Sequence, residues 1–185
     1  MVSWFSTVLV TSSLLLAGCT AHTSLPSYAA VLDFTLTDQT GAQFNSSKAL
    51  RGQVWVADFI YTNCPGPCPR MSSQMHQVQT ALSGLTLVSF TVDPARDTPE
   101  VLAAYGRHFQ AEPGRWFFLT GPTDALQHLS RDVFMLGGVD GNLEHSTRFV
   151  LVDRASRVRG FYLSSDEDVI PRLVADAKDL LRERR

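Results

Sequence analysis

The chain has 185 residues, of which 44% are apolar and 18% are charged, a composition typical of one globular domain with a substantial core. Its 16 basic and 18 acidic side chains leave a formal net charge of −2, and no block of like charges precedes the short tail Arg182–Arg185. This balance argues against a nucleic-acid-binding surface.

The N-terminal sequence has the pattern of a targeting signal. The first 18 residues have no charged side chain and end in Leu-Ala-Gly directly before Cys19. A short apolar run that closes on small residues is typical of a signal peptide, and it is too short to span a bilayer comfortably. The cysteine after Leu-Ala-Gly resembles the bacterial lipobox, in which the signal is cleaved and the new N-terminal cysteine is acylated.

We therefore expect a lipoprotein signal peptide over residues 1–18, a lipidated tether over 19–32 and one folded domain over 33–185. The domain would be held at the membrane of a bacterial cell envelope and face the periplasm or another extracytoplasmic space. An uncleaved membrane anchor is the alternative, and it places the domain in the same compartment.

The domain begins with two short strands and then alternates strands with helices. A turn signal at Asp38–Gly41 separates strands at Asp33–Leu36 and Gln43–Phe44, which predicts a β-hairpin. The continuous apolar run Val54–Tyr61 indicates a strand buried on both faces. The later segments are predicted as a helix (Arg70–Leu82), a strand (Leu85–Val92), a helix (Thr98–Phe109), a strand (Trp116–Thr120), a helix (Thr123–Val133), two strands (Arg148–Val152 and Val158–Leu163) and a terminal helix (Asp168–Arg184). This order predicts an α/β fold with helices on both faces of one sheet.

The sequence CPGPCP at Cys64–Pro69 follows the buried strand and reaches the sheet edge at which open α/β sheets bind their ligands. Prolines stiffen the loop between the two thiols. Pro69 suits the first position of the helix that follows, and the N-terminus of a helix lowers the pKa of a nearby thiol. Because Cys19 is assigned to lipid, Cys64 and Cys68 remain as a pair that can form a disulfide, a metal site or both in alternation. Thiolate sulfur favours Cu(I), with Zn(II) and iron–sulfur clusters as competitors.

A metal site of this kind needs a third ligand, and His145 is the best placed of the five histidines. It follows the turn signal Asp140-Gly141-Asn142 and comes shortly before the strand Arg148–Val152, so a flexible approach could bring its ring over the cysteine edge. The pattern alone leaves His145 either a ligand or an ordinary loop histidine. The other four lie in the tether or in predicted helices, where a structural or exposed role is expected: His22, His76, His108 and His128.

Asp93 ends the second buried strand at the same sheet edge, where it could accept a hydrogen bond from His145 or lie near Cu(II). We favour the alternative that Asp93 and Asp97 cap backbone N–H groups in a turn that leads into a helix. Met71 and Met75 are four positions apart in a predicted helix. Thioethers bind Cu(I), but this spacing is more typical of core packing, so we leave both outside the site.

Three motifs in order resemble the Sco family (also called SenC), copper proteins of bacterial periplasms and mitochondrial inner membranes. The resemblance spans roughly Asp33 to Tyr162. The motifs are FIYTNCPGPCP at Phe59–Pro69, VDPARDTP at Val92–Pro99 followed by Leu102 and Tyr105, and His145-Ser146 before a strand. This resemblance implies a thioredoxin-like fold, with a central mixed sheet, helices on both faces and an N-terminal β-hairpin extension.

In that family two cysteines and a histidine bind one Cu(I) or Cu(II) ion, which implies Cys64, Cys68 and His145 as ligands here. The family helps to assemble the copper A centre of cytochrome c oxidase, as a copper donor, as a thiol reductant of the target's cysteines, or both. The resemblance therefore implies a membrane-anchored metallochaperone rather than an enzyme. Its partner would be the copper-accepting subunit of cytochrome c oxidase or another cuproprotein, and its oxidised form would contain a Cys64–Cys68 disulfide. One departure is Glu144, where the family usually has Asp or a similar residue.

The main alternative is a thiol–disulfide oxidoreductase that uses Cys64 and Cys68 without metal. A peroxidase would need threonine and arginine close to a reactive thiol, for which Thr62 and Arg70 are candidates. A lipoprotein with a purely structural disulfide would leave the proline-rich loop unexplained. The CxxxC spacing and the available third ligand favour the copper interpretation.

Overall fold

The computed structural model describes Met1, residues 25–136 and residues 146–183, and it shows a β-sheet with helices on both faces. The strands are β1 (Thr35–Asp38), β2 (Gln43–Asn45), β3 (Trp55–Ile60), β4 (Thr86–Thr91), β5 (Trp116–Thr120), β6 (Arg148–Val152) and β7 (Val158–Leu163). The helices are α1 (Ser46–Ala49), α2 (Pro67–Ala81), α3 (Pro99–His108), α4 (Thr123–His128), which a π-helical turn (Leu129–Val133) continues, and α5 (Val169–Arg182).

The sheet is mixed, and its strands follow the order β2-β1-β5-β4-β3-β6-β7. The three consecutive strands β5, β4 and β3 are parallel, and the other neighbours are antiparallel. The predicted α/β fold is thus confirmed. The predicted hairpin β1–β2 is also confirmed, and it extends the main sheet because Thr37 of β1 pairs with Thr120 of β5.

Strand β3 lies inside the sheet and is buried along its whole length, as its continuous apolar run predicts. Alternate side chains point to opposite faces. Val56 and Ile60 join a core cluster with residues of α2, α3 and α5, whereas Trp55, Ala57 and Phe59 join a second cluster with residues of α4 and its π-helical turn. The alternation places Asp58, the one charged residue of β3, on the face covered by α2.

Helix α2 begins earlier than the sequence predicts. It starts at Pro67 rather than Arg70, with Gly66 as its N-cap residue, so Cys68 lies within the first turn. The predicted start is three residues too late because a residue before proline is disfavoured in helical geometry, which argued for a helix that begins after Cys68. The first N–H groups of a helix have no intrahelical acceptor, so Pro67 and Pro69 cost no hydrogen bond in this turn.

Most other elements agree with the predicted ones. Thr98 is the N-cap of α3 and its hydroxyl accepts a hydrogen bond from the Val101 N–H. Met71 and Met75 are fully buried in the core, as their spacing predicts. The short helix α1 was not predicted, because four residues do not show a helical period. No helix in the described residues has the length and apolarity that a membrane span requires.

Candidate metal centre

The two cysteines lie together where β3 ends and α2 begins. Cys64 is 7% exposed and Cys68 is fully buried. Both are reduced, and their thiols are hydrogen-bonded to each other. The three residues between them carry two prolines, so the loop is held in place before any ligand binds, and the ordering entropy is already lost on folding.

The pKa of Cys64 is lowered even though burial acts to raise it. The opposing effect comes from hydrogen bonds to its sulfur, donated by the Cys68 thiol, by the backbone N–H groups of Cys68 and Gly66 and by the Tyr61 hydroxyl. Two of these donors are at the N-terminus of α2, where the helix dipole also favours negative charge. Cys64 is therefore the thiol that this site stabilises as a thiolate.

Cys68 has the opposite character. Burial raises the pKa of its thiol, the hydrogen bond to Cys64 raises it further, and a bond from the Tyr61 backbone N–H offsets only part of the increase. The pair thus consists of an activated thiol near the surface and a protonated thiol beneath it. Such a pair can attack a disulfide and then resolve the mixed disulfide, or it can bind a soft metal ion once both protons are lost.

Beneath the pair, Asp58 places a carboxyl group in the apolar core. Neither carboxyl oxygen has a hydrogen-bond partner of good geometry among the described residues. Burial raises the pKa of Asp58 to about 7, and the nearby Ser89 hydroxyl lowers it too little to cancel this effect. The charge of Asp58 in turn contributes to the raised pKa of Cys68. Asp58 is not among the predicted site residues, although a single acid within an otherwise apolar strand is a visible signal in the sequence.

Asp97 fixes the loop that leads to Cys64. It is 1% exposed, and it accepts hydrogen bonds from the Thr62 N–H at 3.1 Å, the Thr62 hydroxyl at 2.5 Å and the Thr91 hydroxyl at 2.5 Å. One buried carboxylate therefore ties the end of β3 to the end of β4. Of the two candidate caps that the sequence offers for α3, Asp97 and Thr98, Thr98 is the cap. The Asp97 carboxylate does accept from a backbone N–H group, but that group is the Thr62 N–H of the cysteine loop.

Asp93 lies at the same edge and is 8% exposed. Its carbonyl closes the turn by accepting from the N–H groups of Arg96 and Asp97, and its carboxylate forms an ion pair with Arg96 at 2.8 Å. The pKa of Tyr61 is raised mainly because its hydroxyl donates a hydrogen bond to Cys64, and the negative charge of Asp93 adds a smaller contribution. Asp93 thus stabilises the turn, and its negative charge also acts on Tyr61 beside the cysteines.

The start of β6 is tied to the first two turns of α2 through Ser164. The Ser164 N–H donates to the Thr147 carbonyl at 2.8 Å, its hydroxyl accepts from Arg70 at 3.4 Å, and its carbonyl accepts from Gln74 at 3.0 Å. The chain that follows position 145 therefore enters the sheet next to the helix that carries Cys68. His145 itself lies outside the described residues.

The structure describes only some of the other residues named in the sequence analysis. Cys19, His22 and Glu144 lie outside the described residues. His108 is exposed, and His128 is exposed and paired with Asp132. The two peroxidase candidates are engaged elsewhere, since Thr62 donates to Asp97 and Arg70 donates to Ser164. Within residues 25–136 and 146–183, no three His, Cys, Asp or Glu side chains are grouped so as to hold a metal ion.

Comparison with known proteins gives consistent matches. The chain superposes on a SCO1/SenC family lipoprotein from Bacillus anthracis with a TM-score of 0.75 and 32% identity, covering 82% of this chain and 95% of that one. It superposes on BsSco, a Sco-family cytochrome c oxidase assembly protein with a disulfide switch, with a TM-score of 0.73 and 27% identity over 85% and 96% of the two chains. Copper-bound ScoI from Bradyrhizobium japonicum gives a TM-score of 0.67 and 25% identity over 82% and 99%.

Fold and site together define a thioredoxin-like protein with a pair of thiols at the start of the helix that follows a central strand. The SCO1/SenC family model matches residues 23–182, which is most of the chain. The chain therefore belongs to the SCO1/SenC family, as its three motifs predict.

Proposed function

We propose that this protein is a copper carrier that binds one copper ion through Cys64, Cys68 and His145. Its task is to help assemble the copper A centre of cytochrome c oxidase, by delivering copper, by reducing the target's cysteines, or both. Acylated Cys19 holds it at the membrane of a bacterial cell envelope. The observation that carries the proposal is the pair of buried, mutually hydrogen-bonded thiols at the N-terminus of α2.

The donor chemistry fits copper as cargo. Two sulfur donors shielded from water suit a soft monovalent ion, and two donors leave the coordination shell incomplete. A third donor has to come from beyond the described residues or from a partner. Strands β3 and β6 are antiparallel, and Trp55 of β3 pairs with Val152 of β6. Continued along the two chains, this register places Thr147, just before β6, opposite Ile60 at the end of β3. Two further positions span about 7 Å of extended chain, so His145 is within reach of the cysteine edge.

Related proteins support the proposal. Copper is bound in ScoI of Bradyrhizobium japonicum, and BsSco is a cytochrome c oxidase assembly protein. The match to a lipoprotein of the same family supports the anchor at Cys19. A site with an incomplete ligand set also suits a carrier, because an incoming ligand from the acceptor can bind before the carrier's own ligands leave.

Titration of the reduced protein with Cu(I) tests the ligand set. One equivalent should bind, and Cys64→Ser, Cys68→Ser and His145→Ala should each greatly weaken binding. The matched control is His108→Ala, which removes an exposed helical histidine and should leave binding unchanged. Normal Cu(I) and Cu(II) binding by His145→Ala would refute the assignment of His145.

The unequal pKa values of the two thiols favour a second candidate function, thiol–disulfide exchange without metal. The Cys64 thiolate would attack a target disulfide and release one target thiolate. The Cys68 sulfur, after losing its proton, would then attack Cys64 and release the second, so that two electrons pass to the target. Full reductase activity of His145→Ala in the presence of a copper chelator would establish this alternative.

A further inference from the structure

Tyr61 contacts both sulfurs of the cysteine pair. Its backbone N–H donates a hydrogen bond to the Cys68 sulfur, and its side-chain hydroxyl donates one to the Cys64 sulfur. Tyr61 is not one of the proposed ligands. It is nevertheless placed to act on the metal centre without binding the ion, because its donors are directed at two of the atoms that would hold it.

The position of Tyr61 is fixed by the chain on either side of it. The Ile60 carbonyl accepts from the Val92 N–H at 2.8 Å, and the Thr62 N–H donates to the buried carboxylate of Asp97 at 3.1 Å. The ring of Tyr61 is partly buried and packs against both core clusters of the domain. The hydroxyl is therefore held against Cys64 by the fold itself, and little ordering is needed when an ion binds.

The hydroxyl is the donor to Cys64 that persists when copper binds and that a side-chain change can remove. The other donors to this sulfur are the Cys68 thiol and the backbone N–H groups of Cys68 and Gly66. The Cys68 thiol loses its proton when both sulfurs bind the ion. The two N–H groups belong to the first turn of α2 and its N-cap, so the fold supplies them whatever the side chains are.

A hydrogen bond to a sulfur ligand favours the lower oxidation state of the metal. The site carries one more negative charge with Cu(I) than with Cu(II), and an O–H dipole directed at a thiolate stabilises the more negative form. Water screens this effect little, because Cys64 is only 7% exposed. Hydrogen bonds to sulfur ligands tune the reduction potentials of blue-copper and iron–sulfur centres for the same reason.

We infer that the Tyr61 hydroxyl biases the metal centre towards Cu(I) through its hydrogen bond to the Cys64 sulfur. The inference rests on the proposed copper site, and in it Tyr61 acts through Cys64 rather than as a ligand. Loss of the hydroxyl should favour Cu(II) over Cu(I) by about tenfold, since hydrogen bonds to charged groups are among the stronger ones. For a one-electron couple this is a fall of about 59 mV in the reduction potential.

The test measures Cu(I) and Cu(II) affinities of the same protein, each by competition with a chelator of that ion. Tyr61→Phe keeps the ring and removes only the hydroxyl. It should still bind one copper ion, but its Cu(II) affinity should rise about tenfold relative to its Cu(I) affinity. The sulfur-to-Cu(II) charge-transfer band should move to longer wavelength, because a sulfur that loses a hydrogen bond gives up an electron more easily.

Tyr105→Phe is the matched control. Tyr105 packs against the core cluster that contains both cysteines, and its hydroxyl is hydrogen-bonded to the Ser72 hydroxyl at 2.9 Å. The variant therefore also loses a hydrogen-bonded hydroxyl from the same core, but not one that donates to Cys64. The ratio of the two copper affinities and the wavelength of the band should both stay at the parent values.

Incorporation of 3-fluorotyrosine at position 61 tests the same hydrogen bond in the opposite direction. Its hydroxyl is a stronger donor and keeps its proton at pH 6. Cu(I) affinity should therefore rise relative to Cu(II) affinity, and the band should move to shorter wavelength. This protein retains both the ring and the hydroxyl, so it decides the matter even if Tyr61→Phe does not fold.

Unchanged affinity ratios in Tyr61→Phe and in the fluorotyrosine protein would overturn the inference, and so would an equal change in Tyr105→Phe. Neither result would affect the proposed ligands, because the parent protein would still bind one copper ion. Failure of the parent to bind copper would instead overturn the proposed function, and this inference with it.

Discussion

Replacing Asp58 with asparagine should change how the stability of the domain depends on pH. Folding raises the pKa of this buried carboxyl from 3.8 to about 7. Between these two pH values the carboxyl is therefore protonated in the folded state and ionised in the unfolded state. The contribution of Asp58 to the free energy of unfolding is therefore largest below pH 3.8, falls as the pH rises and reaches its minimum above pH 7. At about 1.4 kcal/mol per pH unit, the total loss is about 4 kcal/mol.

The assay is urea unfolding of the reduced, metal-free Cys19→Ser protein at several pH values between 5 and 8. Over this range the free energy of unfolding should fall more steeply in the parent than in Asp58→Asn, by about 3 kcal/mol in total. Asp33→Asn, which alters an exposed acid, should follow the parent. The amide can cost stability of its own, so the slope is the readout. Parallel profiles for Asp58→Asn and the parent would refute the reasoning and show that Asp58 is ionised in the folded protein at pH 5.

Three further outcomes follow from the site. Limited iodoacetamide should alkylate Cys64 well before Cys68 in a mass-spectrometric time course, because only the pKa of Cys64 is lowered; equal rates would contradict this. Cu(I) affinity, measured by chelator competition, should rise with pH because the buried Cys68 thiol must lose its proton to bind the ion. The expected rise is about tenfold per pH unit for each thiol proton displaced. An affinity that does not change with pH would show that Cys68 keeps its proton. Asp97→Ala should destabilise the domain by about 3 kcal/mol and weaken copper binding, whereas Asp124→Ala, an exposed acid of α4, should do neither.

The sequence predicts the elements of this fold well where hydrophobic patterns are long. Strands β5, β6 and β7 have the predicted bounds, and β3 was recognised because an apolar run buried on both faces has no polar interruption except Asp58. The start of α2 was misplaced because a proline signals both an extended residue before it and a first helical turn. Only the three-dimensional arrangement of Gly66 and Pro67 decides between these two meanings.

The site was less predictable than the fold. The cysteine pair follows from one motif, but the hydrogen bonds that separate the two thiol pKa values depend on Tyr61 and on backbone N–H groups whose direction no sequence pattern specifies. The partners of Asp97 could not be predicted for a similar reason. Its local spacing suits a helix cap, while its real partners, Thr62 and Thr91, come from two other parts of the chain.

The antiparallel pairing of residues 28–31 with the start of β7 matters for solubility. β7 is the last strand of the sheet, and an uncovered last strand offers backbone groups to a second molecule. At the other end of the sheet, β2 has only three residues and offers few such groups. A recombinant fragment that begins at Asp33 would uncover the edge at Val158, and we expect it to self-associate at concentrations where a fragment beginning at Cys19 stays monodisperse in light scattering.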